Sequence, residues 1–214
     1  MPAWAHIAVF AGHAEAIGVD SVWVCDHFLS SPPGQPPEGI HEGWTLLSAI
    51  AAATSRVEVG SLVMCVSFRN PALLAKMAAT LDAVSSGRLV LGLGAGSHVP
   101  EFEAFGYATD HRFGRFEEAL RIIGPLLRGE KVSFAGRYHQ VQEAVLLPAP
   151  TDRSRSSSQR RLLGCSAWSR ATPTLGTRLG SGRRTNVSVG GWLISTPPSK
   201  PKAGIRPHFA GRWG

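Results

Sequence analysis

The segment SVWVCDHF, residues 21–28, combines a short apolar run with two polar residues at its end. Residues 22–24 form a continuous apolar run, which is typical of a parallel strand covered on both faces. Asp26 and His27 follow the run, and polar groups at the end of a buried strand cost free energy unless they are paired. In α/β barrels the carboxyl ends of the strands carry the chemistry. The same two residues also fit a capped turn with a solvated histidine, so this segment alone leaves both interpretations open.

Helical and extended patterns alternate along the first 150 residues. Apolar spacing predicts helices at 2–17, 44–54, 70–85 and 112–127, strands at 21–25, 57–66 and 89–93, and a hairpin at 132–141. This alternation is the signature of parallel βαβ units, either doubly wound or in a barrel. The segment 29–43 is rich in proline and glycine, and fits either a substrate-side loop or a disordered connection.

Composition excludes several classes of protein. The 214 residues are 43% hydrophobic and 17% charged, as in ordinary soluble domains. No apolar run reaches the roughly 18 residues of a membrane span, and we expect no signal peptide. The three cysteines lack CxxC spacing and any ligand-like pattern with the eight histidines, so we expect neither a zinc site nor a disulfide framework. The expected location is the reducing cytoplasm.

The character of the sequence changes near residue 150. Residues 151–214 hold 12 lysines and arginines against one acid, whereas residues 1–150 hold 10 basic and 14 acidic residues. Apart from a strand-like run at 187–194, the second region has no apolar period, and we expect a disordered basic tail. We therefore expect one domain at 1–150 and a low-complexity tail at 151–214. Its composition favours a GC-rich gene read out of frame. A nucleic-acid-binding tail is the alternative.

Four segments together resemble a known family. They are EAIGVDSVWVCDHF at 15–28, VEVGSLVMCVSFRNPALLAKMAATLDAVSSGRLVLGLGAG at 57–96, PEFEAFG at 100–106 and RFGRFEEALRII at 112–123. Over residues 4–150 the chain resembles the luciferase-like monooxygenase superfamily of flavin- and deazaflavin (F420)-dependent oxidoreductases. The resemblance implies an α/β fold that is part of a TIM (β/α)8 barrel. Family strands two, three and four are present, whereas strand one and strands five to eight are lacking.

The resemblance also implies a site. Asp26 and His27 match the acid–histidine pair after strand two, and both are expected to be catalytic. Cys65 and Val66 match the end of strand three, where the family has a non-proline cis peptide against the flavin ring. The expected cofactor-binding residues are Asp26, His27, Cys65, Val66, Gly94, Ala95, Gly96 and Ser97. No metal site is expected.

The loop after strand four has a second interpretation. GLGAG also occurs in dinucleotide-binding phosphate loops, but Ser97 stands where that motif has glycine. Pro100 is expected to interrupt any helix that follows immediately. Some F420-dependent family members place a catalytic glutamate at the position of Ser97, so the serine argues against sugar-dehydrogenase-like chemistry.

The resemblance therefore implies an oxidoreductase that uses coenzyme F420 or FMN on a small organic substrate. It would pass a hydride to or from F420, or use reduced FMN and O2 to hydroxylate. Family members are often homo-oligomers, and we do not expect a membrane or nucleic-acid partner. The alternatives are a non-catalytic partial barrel and a tail that binds nucleic acid or an acidic partner.

Three parallel strands cannot close a barrel, because closure links strand number to tilt and stagger. We therefore expect two unpaired sheet edges, carrying Trp23 and Leu91, which invite aggregation. We also expect the protein, expressed alone, to be poorly soluble or oligomeric and to bind flavin or F420 weakly or not at all.

Overall fold

The computed structural model describes residues 2–30, 36 and 38–148, together with three short strands within residues 151–214. Helices α1 to α5 span Trp4–Ala16, Gly43–Ala53, Pro71–Val84, Val99–Ala104 and Arg112–Leu127, and a 3-10 turn spans Val66–Phe68. Strands β1 to β11 span Ser21–Val24, Leu29–Ser30, Glu38–Gly39, Glu58–Ser61, Met64–Cys65, Leu89–Gly94, Val132–Ala135, Gln140–Ala144, Leu162–Gly164, Thr185–Val189 and Trp192–Thr196.

Strands β1, β4 and β6 form the parallel centre of one sheet. Val22 lies opposite Val59, and Val59 lies opposite Leu89. Helix α2 packs on β1 and β4, α3 packs on β6, and α5 packs on α3, with Leu47 and Ile122 fully buried. Burying one such side chain stabilises the fold by about 1.5–3 kcal/mol. The predicted α/β class, a partial barrel with a parallel sheet, is confirmed.

Both edges of the parallel unit are paired, so the expectation of unpaired edges was wrong. Strand β11 lies antiparallel to β1, with Leu193 opposite Trp23, and forms a hairpin with β10. Strand β9 lies parallel to β6, with Leu162 opposite Leu91. Strand β9 therefore occupies the side of β6 where the resemblance puts strand five. Backbone groups complete these edges. The strand-like run at 187–194 overlaps β10 and β11, whereas β9 had no predicted pattern.

Three segments of the expected disordered tail are thus strands. The remainder of the tail lies outside the described residues, as do residues 31–35 and 37 of the long loop. The domain boundary at residue 150 and the out-of-frame interpretation stay predictions. At the two ends of this loop, β2 and β3 pair as antiparallel strands of two residues each, with Leu29 opposite Gly39.

The predicted strand 57–66 is in fact two strands. The chain turns between β4 and β5 at Leu62–Val63, which is joined by a non-proline cis peptide bond. The cis peptide expected at Cys65–Val66 was therefore placed wrongly, because the continuous apolar run hides the break between the strands. None of the helices in the described ranges is long and apolar enough to cross a membrane.

Helix α4 was not predicted. Pro100 was expected to interrupt a helix, but it lies in the first turn of α4. A first-turn proline is tolerated because the backbone N–H that it lacks would have no partner within the helix. Helix α5, by contrast, begins and ends at the predicted residues, since its apolar spacing is regular throughout.

Glu15 closes the amino-terminal edge of the sheet. Its carboxylate accepts hydrogen bonds from the backbone N–H groups of Ser55, Arg56 and Val57 at 2.6 to 3.1 Å. Burial acts to raise the pKa of Glu15, but these backbone hydrogen bonds outweigh it and lower the pKa to about 2. Glu15 therefore fixes the turn that leads into β4.

Arg88 also binds the backbone at the amino-terminal edge of the sheet. Its guanidinium donates to the carbonyl oxygens of Ala51, Thr54, Val57 and Ser85 at 2.7 to 2.9 Å. It also donates to the Thr54 hydroxyl at 3.0 Å. The ends of α2 and α3 and the start of β4 are thereby joined through one side chain.

Candidate active site

The carboxyl ends of β1, β5 and β6 open onto a cavity of about 300 Å³. Seven of the eight residues implied by the resemblance line it: Asp26, His27, Cys65, Gly94, Ala95, Gly96 and Ser97. Val66, the eighth, is fully buried in the main core instead. The other walls are mostly apolar: Leu62, Val63, Phe68, Phe102, Phe113 and Phe116. Residues from separate parts of the sequence therefore meet around one mainly apolar space.

Asp26 is buried, and both of its carboxylate oxygens are held by protein donors. Oδ2 accepts from the backbone N–H of Cys65 at 2.8 Å and from Arg69 Nη1 at 2.6 Å, and Oδ1 accepts from Arg69 Nη2 at 2.9 Å. Arg69 also pairs with Glu42, which caps the start of α2. Asp26 thus ties the end of β1 to β5 and α2. Because both oxygens of Asp26 already accept hydrogen bonds, this geometry suits a structural role for Asp26 better than proton transfer.

The charges of this cluster reinforce one another. Burial alone would lower the pKa of Arg69, but the hydrogen bonds and charges of Asp26 and Glu42 raise it. Burial alone would raise the pKa of Glu42, but hydrogen bonds from the start of α2 and the Arg69 charge lower it. Both groups therefore stay ionised at neutral pH.

His27 lies beside a buried glutamate. Its Nδ1 is 2.7 Å from Oε1 of Glu101, whose side chain is 1% exposed. The other oxygen, Oε2, accepts from the backbone N–H of Phe28 at 3.3 Å. The His27 side chain is 40% exposed and lines the cavity. Because Nδ1 is engaged, Nε2 is the ring nitrogen left for a bound molecule.

His98 brings a second imidazole to the cavity. Its ring centroid lies 6.2 Å from that of His27, edge to face. Its Nε2 is buried and has no hydrogen-bond partner within the described part of the chain. Buried polar atoms are nearly always paired, so this nitrogen is an exception among the described residues of the site. Ser97, in contrast, is exposed at the rim.

The loop after β6 borders the cavity as bare backbone. Gly96 has a φ of +80°, and a Cβ there would lie 2.5 Å from the Phe102 ring and 2.7 Å from Cys65 Sγ. Arg112 Nη1 donates to the Gly96 carbonyl at 3.0 Å, which ties the loop to α5. Burial raises the pKa of the Cys65 thiol to about 11, so this thiol is uncharged and a poor nucleophile at neutral pH.

An aromatic cluster supports one wall of the cavity. The Phe68 ring lies 5.0 Å from that of Phe102, 4.9 Å from that of Tyr107 and 4.5 Å from that of Phe28, between ring centroids. Such offset and tilted contacts stabilise aromatic packing beyond their burial. The cluster fixes Phe102, which contacts the backbone of the glycine loop.

Sequence reasoning missed three polar residues of the site: Arg69, His98 and Glu101. The segment PEFEAFG carries part of the resemblance, but the expected interruption at Pro100 hid the helix that aims Glu101 inward. Glu101 and Phe102 are buried whereas Glu103 is exposed, a difference that the sequence alone does not show. Over the described residues, no group of three His, Cys, Asp or Glu side chains is placed to hold a metal ion.

Comparison with known proteins identifies the family. A family profile described as luciferase-like monooxygenase matches residues 1–180. The chain belongs to the luciferase-like monooxygenase family. The match extends beyond residue 150 and includes the region of β9.

Other members of the luciferase-like family are similar over the first two thirds of the chain. The F420-dependent glucose-6-phosphate dehydrogenase of Amycolatopsis mediterranei is 37% identical over 147 residues, which are 66% of this chain and 43% of that protein. The structure of an F420-dependent secondary alcohol dehydrogenase in complex with an F420–acetone adduct is 29% identical, with a TM-score of 0.61. It covers 71% of this chain and 46% of that one.

A third similar protein comes from the monooxygenase side of the family. The monooxygenase RslO1 of Streptomyces bottropensis is 27% identical, has a TM-score of 0.60, and covers 71% of this chain and 45% of that one. The chain therefore spans less than half the length of the luciferase-like proteins that it resembles.

Proposed function

We propose that the cavity binds the ring end of coenzyme F420, or of FMN, and that the complete protein is an oxidoreductase acting on a small organic substrate. The observation that carries this proposal is the convergence of three strand ends on one mainly apolar cavity with two histidines at its polar side. The names of similar proteins favour F420 over FMN. The monooxygenase likeness supports FMN as the second candidate.

The residues present fit the flat end of such a cofactor. The cavity of about 300 Å³ is at the lower end of the range of small-molecule sites, roughly 300–1,000 Å³. It suits a ring system but not the phosphate-bearing remainder of the cofactor. The absence of a side chain at Gly96 lets Phe102 and Cys65 pack against the loop, and His98 brings a second imidazole to the same cavity.

When bound, the cofactor would supply hydride transfer, which no side chain can perform. The chain's own residues would orient the reactants and move a proton. His27 Nε2 would exchange a proton with the substrate at the cavity, where an imidazole can act as acid or base near neutral pH. Asp26 would keep the end of β1 in place, and the phenylalanine walls would exclude water.

A pair of glycine variants tests the binding proposal. Gly96 and Gly106 both have positive φ, at +80° and +75°, so alanine strains the backbone similarly at each. A Cβ at Gly96 would enter the cavity wall, whereas a Cβ at Gly106 meets nothing within 4 Å. We expect F420 binding, followed by its fluorescence and absorbance, to weaken about tenfold or more in Gly96→Ala. Gly106→Ala should bind like wild type.

Affinity itself is expected to be weak, so the comparison between variants is the informative result. Equal loss in both variants would place the cofactor elsewhere. Absence of any F420 or FMN binding to the folded protein would favour the non-catalytic partial barrel. FMN bound more tightly than F420, with O2 consumption, would favour the monooxygenase candidate.

A further inference from the structure

We propose that Glu101 is a positioning residue that fixes the tautomer of His27. In this arrangement Nδ1 of His27 carries the proton, and Nε2 presents its lone pair to the cavity. The inference rests on the proposed function for its catalytic meaning. Its central claim, the position of one proton, holds or fails without any cofactor.

The first step is the geometry of the pair. Nδ1 of His27 and Oε1 of Glu101 lie 2.7 Å apart, which is typical of a charge-assisted hydrogen bond. An ionised carboxylate only accepts hydrogen bonds, so the proton in this bond belongs to the imidazole. A neutral imidazole carries one proton, and placing it on Nδ1 leaves Nε2 as an acceptor.

The second step is the environment of Glu101. Its side chain is 1% exposed, so water does not compete for its oxygens. The backbone N–H of Phe28 donates to Oε2 at 3.3 Å, which fixes the carboxylate from the far side. Because Phe28 adjoins His27, the same glutamate holds both the ring and the backbone that carries it.

The third step is what this tautomer does. A base at the cavity needs an unprotonated nitrogen facing the substrate, and the opposite tautomer would present an N–H instead. A carboxylate that holds the distal nitrogen also stabilises the imidazolium formed after proton uptake. Glu101 therefore acts through His27, and it is not itself the proton acceptor.

Replacement of Glu101 by glutamine gives a sharp test. The amide has one accepting oxygen and one donating NH2 group. The Phe28 N–H requires the oxygen, since two donors cannot face each other, and the NH2 is then left facing Nδ1 of His27. Nδ1 must accept, so the proton moves to Nε2. Glu101→Gln thus keeps the shape of the side chain and reverses the tautomer.

The readout is the ¹⁵N NMR signature of the His27 imidazole in the full-length chain, assigned with His27→Ala, at a pH at which the ring is neutral. We expect protonated Nδ1 in wild type and protonated Nε2 in Glu101→Gln. Glu101→Asp keeps an accepting carboxylate and should retain the wild-type tautomer despite its shorter reach. Glu15→Gln, which removes a carboxylate clamp far from the cavity, should leave the signature unchanged.

The wild-type spectrum alone can overturn the proposal. A proton on Nε2 in wild type would do so even if Glu101→Gln failed to fold. An unchanged tautomer in a folded Glu101→Gln would overturn it as well, and would reduce Glu101 to a support for Phe28. If F420 turnover is measurable, we expect kcat of Glu101→Gln to fall about 100-fold or more with little change in KM. A confirmed tautomer without cofactor binding would refute the proposed function alone.

Discussion

At the amino-terminal edge of the parallel sheet, Glu15 and Arg88 use their polar atoms on the backbone of the protein itself. At the carboxyl edge, His27 keeps a ring nitrogen for the cavity, and His98 has a buried nitrogen without a partner in the described part of the chain. Both edges contain buried or half-buried charge. The difference lies in hydrogen bonding. The polar atoms of Glu15 and Arg88 bond to the protein backbone, whereas one ring nitrogen of His27 and one of His98 have no partner among the described residues. In α/β barrels the bottom face serves stability and the top face serves chemistry.

The largest loss of stability is expected from Asp26→Asn. Both carboxylate oxygens of Asp26 accept hydrogen bonds from the protein at the carboxyl edge. The amide would present donors to Arg69 or to the Cys65 N–H, and Arg69 would lose the more deeply buried of its two counter-ions, Asp26 and Glu42. Breaking a buried pair on one side costs about 3–5 kcal/mol, which urea unfolding measures. Asp110→Asn breaks an exposed Asp–Arg pair and should have a much smaller effect on unfolding. Equal effects in the two variants would show that the buried cluster does not hold the fold.

Arg88→Met should have the next largest effect. The change leaves several carbonyl oxygens at the amino-terminal edge without their donor, at a cost of about 2–3 kcal/mol in the free energy of unfolding. Arg121→Met, which removes an exposed helical pair with Glu117, should cost only about 0.3–0.5 kcal/mol. F420 binding should stay at the wild-type level in Arg88→Met. A binding defect there would show that the two edges are coupled.

The pH dependence of stability sharpens the same comparison. The pKa of Glu15 is lowered from 4.5 to about 2 in the folded protein. Its contribution is therefore fully present above about pH 4.5 and is lost as the pH falls through about 2. Unfolding measured across this range should depend less on pH in Glu15→Gln than in wild type. Glu103→Gln, an exposed substitution, should reproduce the wild-type curve, and an identical slope in Glu15→Gln would contradict the clamp.

His27→Ala should cost less stability than Asp26→Asn or Arg88→Met, because the ring is partly exposed and makes one hydrogen bond among the described residues. We expect a loss of about 1 kcal/mol in unfolding. Turnover should fall about 100-fold or more if His27 exchanges the proton. His111→Ala, at an exposed surface position, controls for the loss of an imidazole. A His27→Ala protein that unfolds instead would make His27 a structural residue.

The sequence predicted those features that repeat along the chain. Both ends of helix α5 were predicted, because its apolar residues recur regularly. The loop that follows β6 was predicted to line the site, because it comes directly after a buried strand. Single contacts were not predictable. In the sequence, Glu101 is indistinguishable from a solvated acid. In the structure it lies on α4, and its carboxylate contacts His27. Likewise, the strand-like run at 187–194 did not show that β11 would pair with β1, and β9 had no predicted pattern at all.

The pairing of β1 with β11 also has a consequence for protein synthesis. Ser21 lies opposite Ser195, so the first strand of the sheet pairs with a segment that is synthesised 174 residues later. At roughly 5–20 residues per second, this interval lasts on the order of 10–35 s. Throughout it, one edge of a nascent β1 is open to other chains, to chaperones or to the wrong strand. Ribosome-bound chains that stop before residue 192 should therefore be more prone to association than chains that extend beyond residue 196.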